Sequence, residues 1–179
     1  MTSGLDLLLD ARAMPDADVV RAFGHLGSSN ADQVDRAALV AALLSSFTPD
    51  DAPLIRELTR QEIAAVGDAD EGCGDVLLAC CWLLFMIGHV EDAVLVWRAK
   101  NTNFDARCYI DSVFLIPQGA AATAEFARSR DLIDLADWVE GEWLGDMEDS
   151  TREWRSGSFF ERVPPAAASV EDLAAWMRQ

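Results

Sequence analysis

The longest uninterrupted apolar stretch of the chain is Val76 to Ile87 (VLLACCWLLFMI), twelve residues without a charged side chain. A membrane span needs roughly 20 apolar residues and a fully buried strand is usually about 4 to 8 long, so the run fits neither. Only Val76 and Ile87 are β-branched, Leu, Ala, Met and Cys fill the rest, and Asp75 and Gly88 stand at its ends as cap residues. The pattern predicts a helix covered on most of its circumference, the centre around which the rest is arranged.

The flanking segments show apolar faces at helical spacing. Leu5 to Leu9 begins a first helix or packs as an N-terminal arm. Pro15 and Asp16 open a helix to about Leu26 with Val19, Val20 and Phe23 on one face, and Gly24 and Gly27 close it. Asn30 to Gln33 reads as a capping box for a helix to about Ser45. Val34, Ala38, Ala41 and Leu44 line one stripe of it, and Leu39 and Leu43 face elsewhere, so two of its sides are expected to be covered. Thr48-Pro49-Asp50-Asp51 starts a helix whose inner face is Leu54, Ile55, Leu58, Ala65 and Val66, stopped by Gly67. Glu91 to Lys100, Phe104 to Ile116, an alanine-rich stretch to about Arg128, and Asp131 to Leu144 are expected as further helices. From Gly145 the pattern is less regular; Pro164-Pro165 interrupts it, and Val170 to Met177 forms a last short helix through Leu173 and Trp176.

Gly88 and Gly119 are 31 residues apart, and each follows one apolar segment and precedes another. At that offset Leu83 matches Phe114, Leu84 matches Leu115, Ala93 matches Ala124 and Leu95 matches Phe126. Gly88, with Ala93 five positions on and Trp97 nine on, resembles the helix turn of tetratricopeptide repeats over Val76 to Lys100, and more weakly over Phe104 to Arg130. The chain departs from that family in lacking the tryptophan of the first helix and in its offset, where the family uses about 34. The resemblance implies stacked helical hairpins of the kind that commonly bind other proteins.

At 179 residues and 51% apolar content the chain is expected to be one all-α domain, residues 1–179, of antiparallel helical hairpins: α-solenoid-like, or an irregular bundle. Acidic residues outnumber basic ones 31 to 14, a net charge of −17. That repels phosphates and anionic lipid, excluding nucleic acid and membranes as direct partners and favouring a basic protein partner. A solvated surface without a partner, or adaptation to a salty habitat, accounts for the same excess. The first fifteen residues show no signal peptide, and Cys73, Cys80, Cys81 and Cys108 form neither a CxxC site nor a disulfide framework, so a reduced, cytoplasmic setting is expected.

Nothing in the sequence matches a nucleotide-binding, zinc-protease or nucleophile-elbow signature, and no cofactor is expected. His25 and His89 lie beside glycines at expected helix ends, where they serve as caps. Cys73, Cys80, His89 and Cys108 lack the paired spacing of a zinc site. Asp68-Ala69-Asp70-Glu71-Gly72 places its glycine fifth and Ala79 twelfth, against the calcium-loop pattern. The chain is read as no enzyme.

The candidate site is acidic. Asp131 to Glu153 holds nine acids against Arg152 alone. Asp131, Asp134, Asp137, Trp138, Glu140, Glu142, Asp146, Glu148 and Asp149 are the expected partner-binding residues, with Trp138 at the margin of the apolar stripe between Asp134 and Glu142. A tryptophan ringed by carboxylates suits a basic surface. The other reading packs Trp138 against a neighbouring helix and leaves the acids hydrated. A second stretch, Trp97 to Asp111, mixes Arg98, Lys100, Asn101, Asn103, Asp105 and Arg107, and reads either as a surface or as a loop held by asparagine caps and ion pairs. The expected function is a non-catalytic protein-binding module, at its most specific a bacterial immunity protein covering a basic nuclease or deaminase toxin. The alternative is a helical-repeat adaptor or regulator binding a cellular protein.

Overall fold

In the computed structural model, all regular elements among the described residues are helical. These residues are 3–24, 30–68, 72–141, 144–156, 160 and 163–178, with side chains described except at 16, 17, 20, 21, 30, 31, 68 and 144–149. The helices are α1 (Gly4–Arg12), α2 (Asp16–Phe23), α3 (Asn30–Ser46), α4 (Ala52–Asp68), α5 (Gly74–Ile87), α6 (Ala93–Lys100), α7 (Phe104–Tyr109), α8 (Ala120–Ser129), α9 (Ile133–Glu140), α10 (Leu144–Arg155) and α11 (Val170–Met177). None is long and apolar enough to cross a membrane.

The predicted central helix is α5, buried without interruption from Val76 to Phe85. It ends where Gly88 turns to φ +89° and its N–H bonds the Leu84 carbonyl at 3.1 Å, a left-handed cap that a side chain would strain. A second helix shares the centre. α3 is buried on every side from Arg36 to Leu43, so the two covered faces expected from its sequence have become a fully enclosed segment. α1 crosses it through Gly4, Leu8 and Ala11, one face at spacings of four and three. A Cβ on Gly4 would lie 2.1 Å from the Ala38 carbonyl oxygen, so the two backbones touch. The N-terminal patch is therefore a helix, started by the Ser3–Asp6 capping box.

α4 packs along α5, α2 on α4, and α8 against α9. α11 returns from the end of the chain to both α3 and α5, burying Leu173 and Trp176. This return closes the helices into a bundle rather than leaving them in an open row.

Three segments differ from the pattern. Phe104 to Ile116 is two pieces: α7 stops at Tyr109, Ile110 is extended, and Ser112–Leu115 forms a 3-10 turn. Asp111 causes the break by accepting the Val113 N–H at 3.0 Å, a local bond that competes with helix continuation. The segment from Asp131 breaks at Gly141, which is extended, and Glu142 and Trp143 lie outside the described residues. The stretch after Gly145 contains α10, which the pattern does not show, ahead of the expected α11, and its Trp154 is buried. Trp154 receives the Trp82 indole N–H on its carbonyl at 2.7 Å and gives its own to Asp111 at 2.8 Å, tying α5 to α10 and to the α7 exit.

Candidate functional site

α8 and α9 form a hairpin whose contact faces are small or branched: Thr123, Ala124 and Ala127 on one side, Leu135, Ala136 and Val139 on the other, all buried. Ion pairing of Arg128 with Glu140 clasps the hairpin from outside. The turn between them passes through Asp131 at φ +59°, a left-handed conformation that aspartate tolerates better than most residues.

This packing leaves one face of α9 to solvent. Asp131, Asp134 and Asp137 follow one another at three-residue spacing, all exposed, and among the described residues none of them forms a salt bridge. Ile133 lies between them with 49% of its surface exposed. A β-branched apolar residue pointing away from the Leu132–Leu135–Val139 stripe was the sequence signal for it, and the stripe itself drew attention away.

Trp138 takes the packed alternative. Its ring lies 5.4 Å from that of Trp97, with the Arg107 guanidinium 5.0 Å and the Lys100 ammonium 5.9 Å from its centroid, and its indole N–H reaches Ser112 Oγ at 3.3 Å. Cations, not carboxylates, surround it, and its part is to fix α9 to α6 and α7. Glu140 is occupied by Arg128. Glu142 is outside the described residues, and Asp146, Glu148 and Asp149 belong to α10 with their side chains outside the description. The exposed part of the candidate face is therefore Asp131, Asp134 and Asp137 with Ile133.

The second stretch is a fastened loop. Asn103 caps α7 by accepting the Ala106 N–H at 2.7 Å and gives its amide to the Gly72 carbonyl at 2.8 Å, while Asp105 accepts the Gly72 N–H at 2.8 Å. Lys100, the only lysine of the chain, is 5% exposed. Its ammonium donates to the Arg107 and Ile110 carbonyls, each at 2.6 Å, closing the end of α7, and desolvation lowers its pKa. Tyr109 hydrogen-bonds Asp75, joining α7 to the start of α5.

Cys80 and Cys81 are fully enclosed, and burial pushes both thiols well above the usual range. Cys73 is pushed up to about 12, chiefly by desolvation with Asp75, Glu62 and Asp105 adding to it. All three stay protonated at neutral pH, the form in which a thiol is a poor nucleophile. His89 holds a different contact from the cap expected of it: Arg56 donates to its Nδ1 at 2.8 Å while also gripping Asp92 at 2.6 and 3.0 Å. His25 lies outside the described residues.

One charged pair escaped the sequence reading. Arg36 on α3 and Glu62 on α4 are 1% and 8% exposed and meet through Nε and Oε1 at 2.6 Å. Glu62 continues the line Ile55, Leu58, Glu62, Val66 at spacings of three and four, so its position on the inner stripe was the available clue. Compared with models of known families, with curated proteins and with solved structures, the chain matches none.

Proposed function

We propose that the chain is a non-catalytic protein-binding module that captures a basic partner protein through the exposed face of α9. At its most specific, it is a bacterial immunity protein that neutralises a basic toxin of the nuclease or deaminase type. The supporting observation is how the two signs of charge are distributed. Among the described residues, six of the fourteen cations are engaged within the fold: Arg12 with Asp51, Arg36 with Glu62, Arg56 with Asp92 and Glu91, Arg60 with Glu57, Arg128 with Glu140, and Lys100 on backbone carbonyls. The unmatched acids give a chain of −17 an outward negative field, and on α9 they flank an exposed isoleucine.

Such a field speeds encounter with a cationic surface and disfavours anionic competitors, while an apolar contact at its centre slows release. Covering a toxin's cationic active site requires both. The test is co-purification from source cells at low and high salt, with wild type beside an Asp134→Arg, Asp137→Arg variant. A basic partner retained at low salt, shed at high salt and lost with the variant is the expected result. Capture that ignores both salt and charge reversal would sink the reading.

A further inference from the structure

On α1, Leu5 and Leu9 are 46% and 55% exposed, two of the five large apolar side chains left to solvent among the described residues. They stand four positions apart and Arg12 follows three later, so the three share one side of the helix. That side is turned about 100° from the Gly4–Leu8–Ala11 face seated on α3. It leads to a hollow of about 300 Å³ beside α1, α2 and the start of α4, with Arg12 in its wall and Met14, Val19, Pro53 and Leu54 as its apolar part. Stripe and hollow form one apolar track. The nine residues of α1 span about 13 Å, a little over two turns of a second helix laid along them.

The track is bordered by acids. Asp6 and Asp10 each stand one position beyond a leucine of the stripe, and Asp50 lines the hollow. All three are exposed, and among the described residues none of them forms a salt bridge. The side-chain bond from Ser3 lowers the pKa of Asp6 and so keeps it charged. Arg12 does not offset them, because its charge is spent on Asp51, held through Nε at 2.9 Å and Nη2 at 2.8 Å. The surface is therefore apolar along its middle and negative along its edge. Those two features choose the occupant. A second copy in a symmetric contact would set these acids against themselves, in molecules that each carry −17. Anionic lipid is repelled for the same reason. A helix with apolar residues at spacings of four and three, bordered by lysine or arginine, matches both the track and its edge.

We propose that α1 and the hollow beside it dock a basic, amphipathic helix of a partner protein, two of its apolar residues against Leu5 and Leu9 and a third in the hollow against Met14, Val19 and Leu54. The proposal is independent of the α9 reading. It is tested on the full chain by fluorescence anisotropy with a labelled leucine–lysine peptide of about 14 residues, about four helical turns, whose leucines share one face. A peptide of the same composition with its leucines scattered, and a leucine–glutamate counterpart, serve as controls. The leucine–lysine peptide should bind saturably at low salt, the scattered one at least about tenfold more weakly, and the glutamate one not at all. Leu5→Gln, Leu9→Gln leaves charge and core untouched and should weaken the leucine–lysine peptide about tenfold, with helix content by circular dichroism unchanged. Asp10→Asn, Asp50→Asn should weaken it at low salt and have little effect at high salt. Asp134→Arg, Asp137→Arg on α9 should weaken it less than loss of the two leucines does. If the leucine–lysine peptide does not bind, if the scattered peptide binds equally well, or if Leu5→Gln, Leu9→Gln binds as wild type does, the proposal is overturned. It is overturned equally if the α9 variant has the larger effect.

Discussion

On α9, three carboxylates stand in water one turn apart, and nothing in the fold is built on their charge. Between α3 and α4, one carboxylate and one guanidinium face each other largely out of water. The chemical groups are nearly the same in both regions, and their energetic roles are opposite. A hydrated acid on a helix surface is nearly free to keep or lose as far as stability is concerned, so its presence in number calls for a functional or environmental reason. A buried pair is different: each member holds the other in place, and removing one strands a charge.

The comparison is broken most strongly at Glu62. Replacing it with alanine leaves Arg36 buried without its counter-charge and should cost about 3–5 kcal/mol in urea unfolding. The double variant Arg36→Met, Glu62→Leu should recover most of that loss, because it removes both desolvation penalties together. A double variant as unstable as the single one would show that the pair contributes more than mutual neutralisation.

A second, smaller effect is in pH. Burial holds the Glu62 carboxyl above its usual value of 4.5. Below that value both folded and unfolded chains carry the proton; as pH rises past it the unfolded chain releases its proton first, so stability owed to this group falls until the folded carboxyl also ionises. Asp51 runs the other way. Its burial is outweighed by the bonds from Arg12 and Thr48, its pKa is lowered, and its stabilisation is present at neutral pH and lost on acidification. Glu62→Gln should therefore gain on wild type between about pH 4.5 and neutrality, as read by denaturation midpoints. An unchanging difference across that range would place Glu62 with the surface acids.

The smallest effect is expected at α9. Changing Asp131, Asp134 and Asp137 to asparagine should shift stability by less than about 0.5 kcal/mol for each substitution, with any gain reflecting relief of like-charge repulsion. A loss of several kcal/mol would mean that the face is structural and would erase the contrast with the buried pair.

What could be read from the sequence follows the same division. α5 was legible because an unbroken apolar run has only one stable place to go. α3 was legible as a helix but not as a second centre, because Arg36 and the many alanines dilute its hydrophobic signal while their small size is what lets α1 approach. The break inside Phe104 to Ile116 was hidden: Asp111 and Lys100 act through single hydrogen bonds that leave no periodic trace. Trp138 was placed correctly on the margin of its stripe, yet its neighbours come from α6 and α7, some 31 to 41 positions earlier in the chain, beyond the reach of a helical wheel. Local pattern identified which elements form, and long-range pairing decided which side chains remain outside.

Lys100, closed in beneath α7 with both its hydrogen-bonded carbonyls, leaves the folded chain without a side-chain amine at its surface. Lysine acylation, ubiquitin attachment and amine-directed crosslinking therefore all meet a surface with no lysine to act on. Any enzyme that tags lysines would have to wait for the α6–α7 junction to open, so modification at this position records an opening of the fold and not a signal written on its surface.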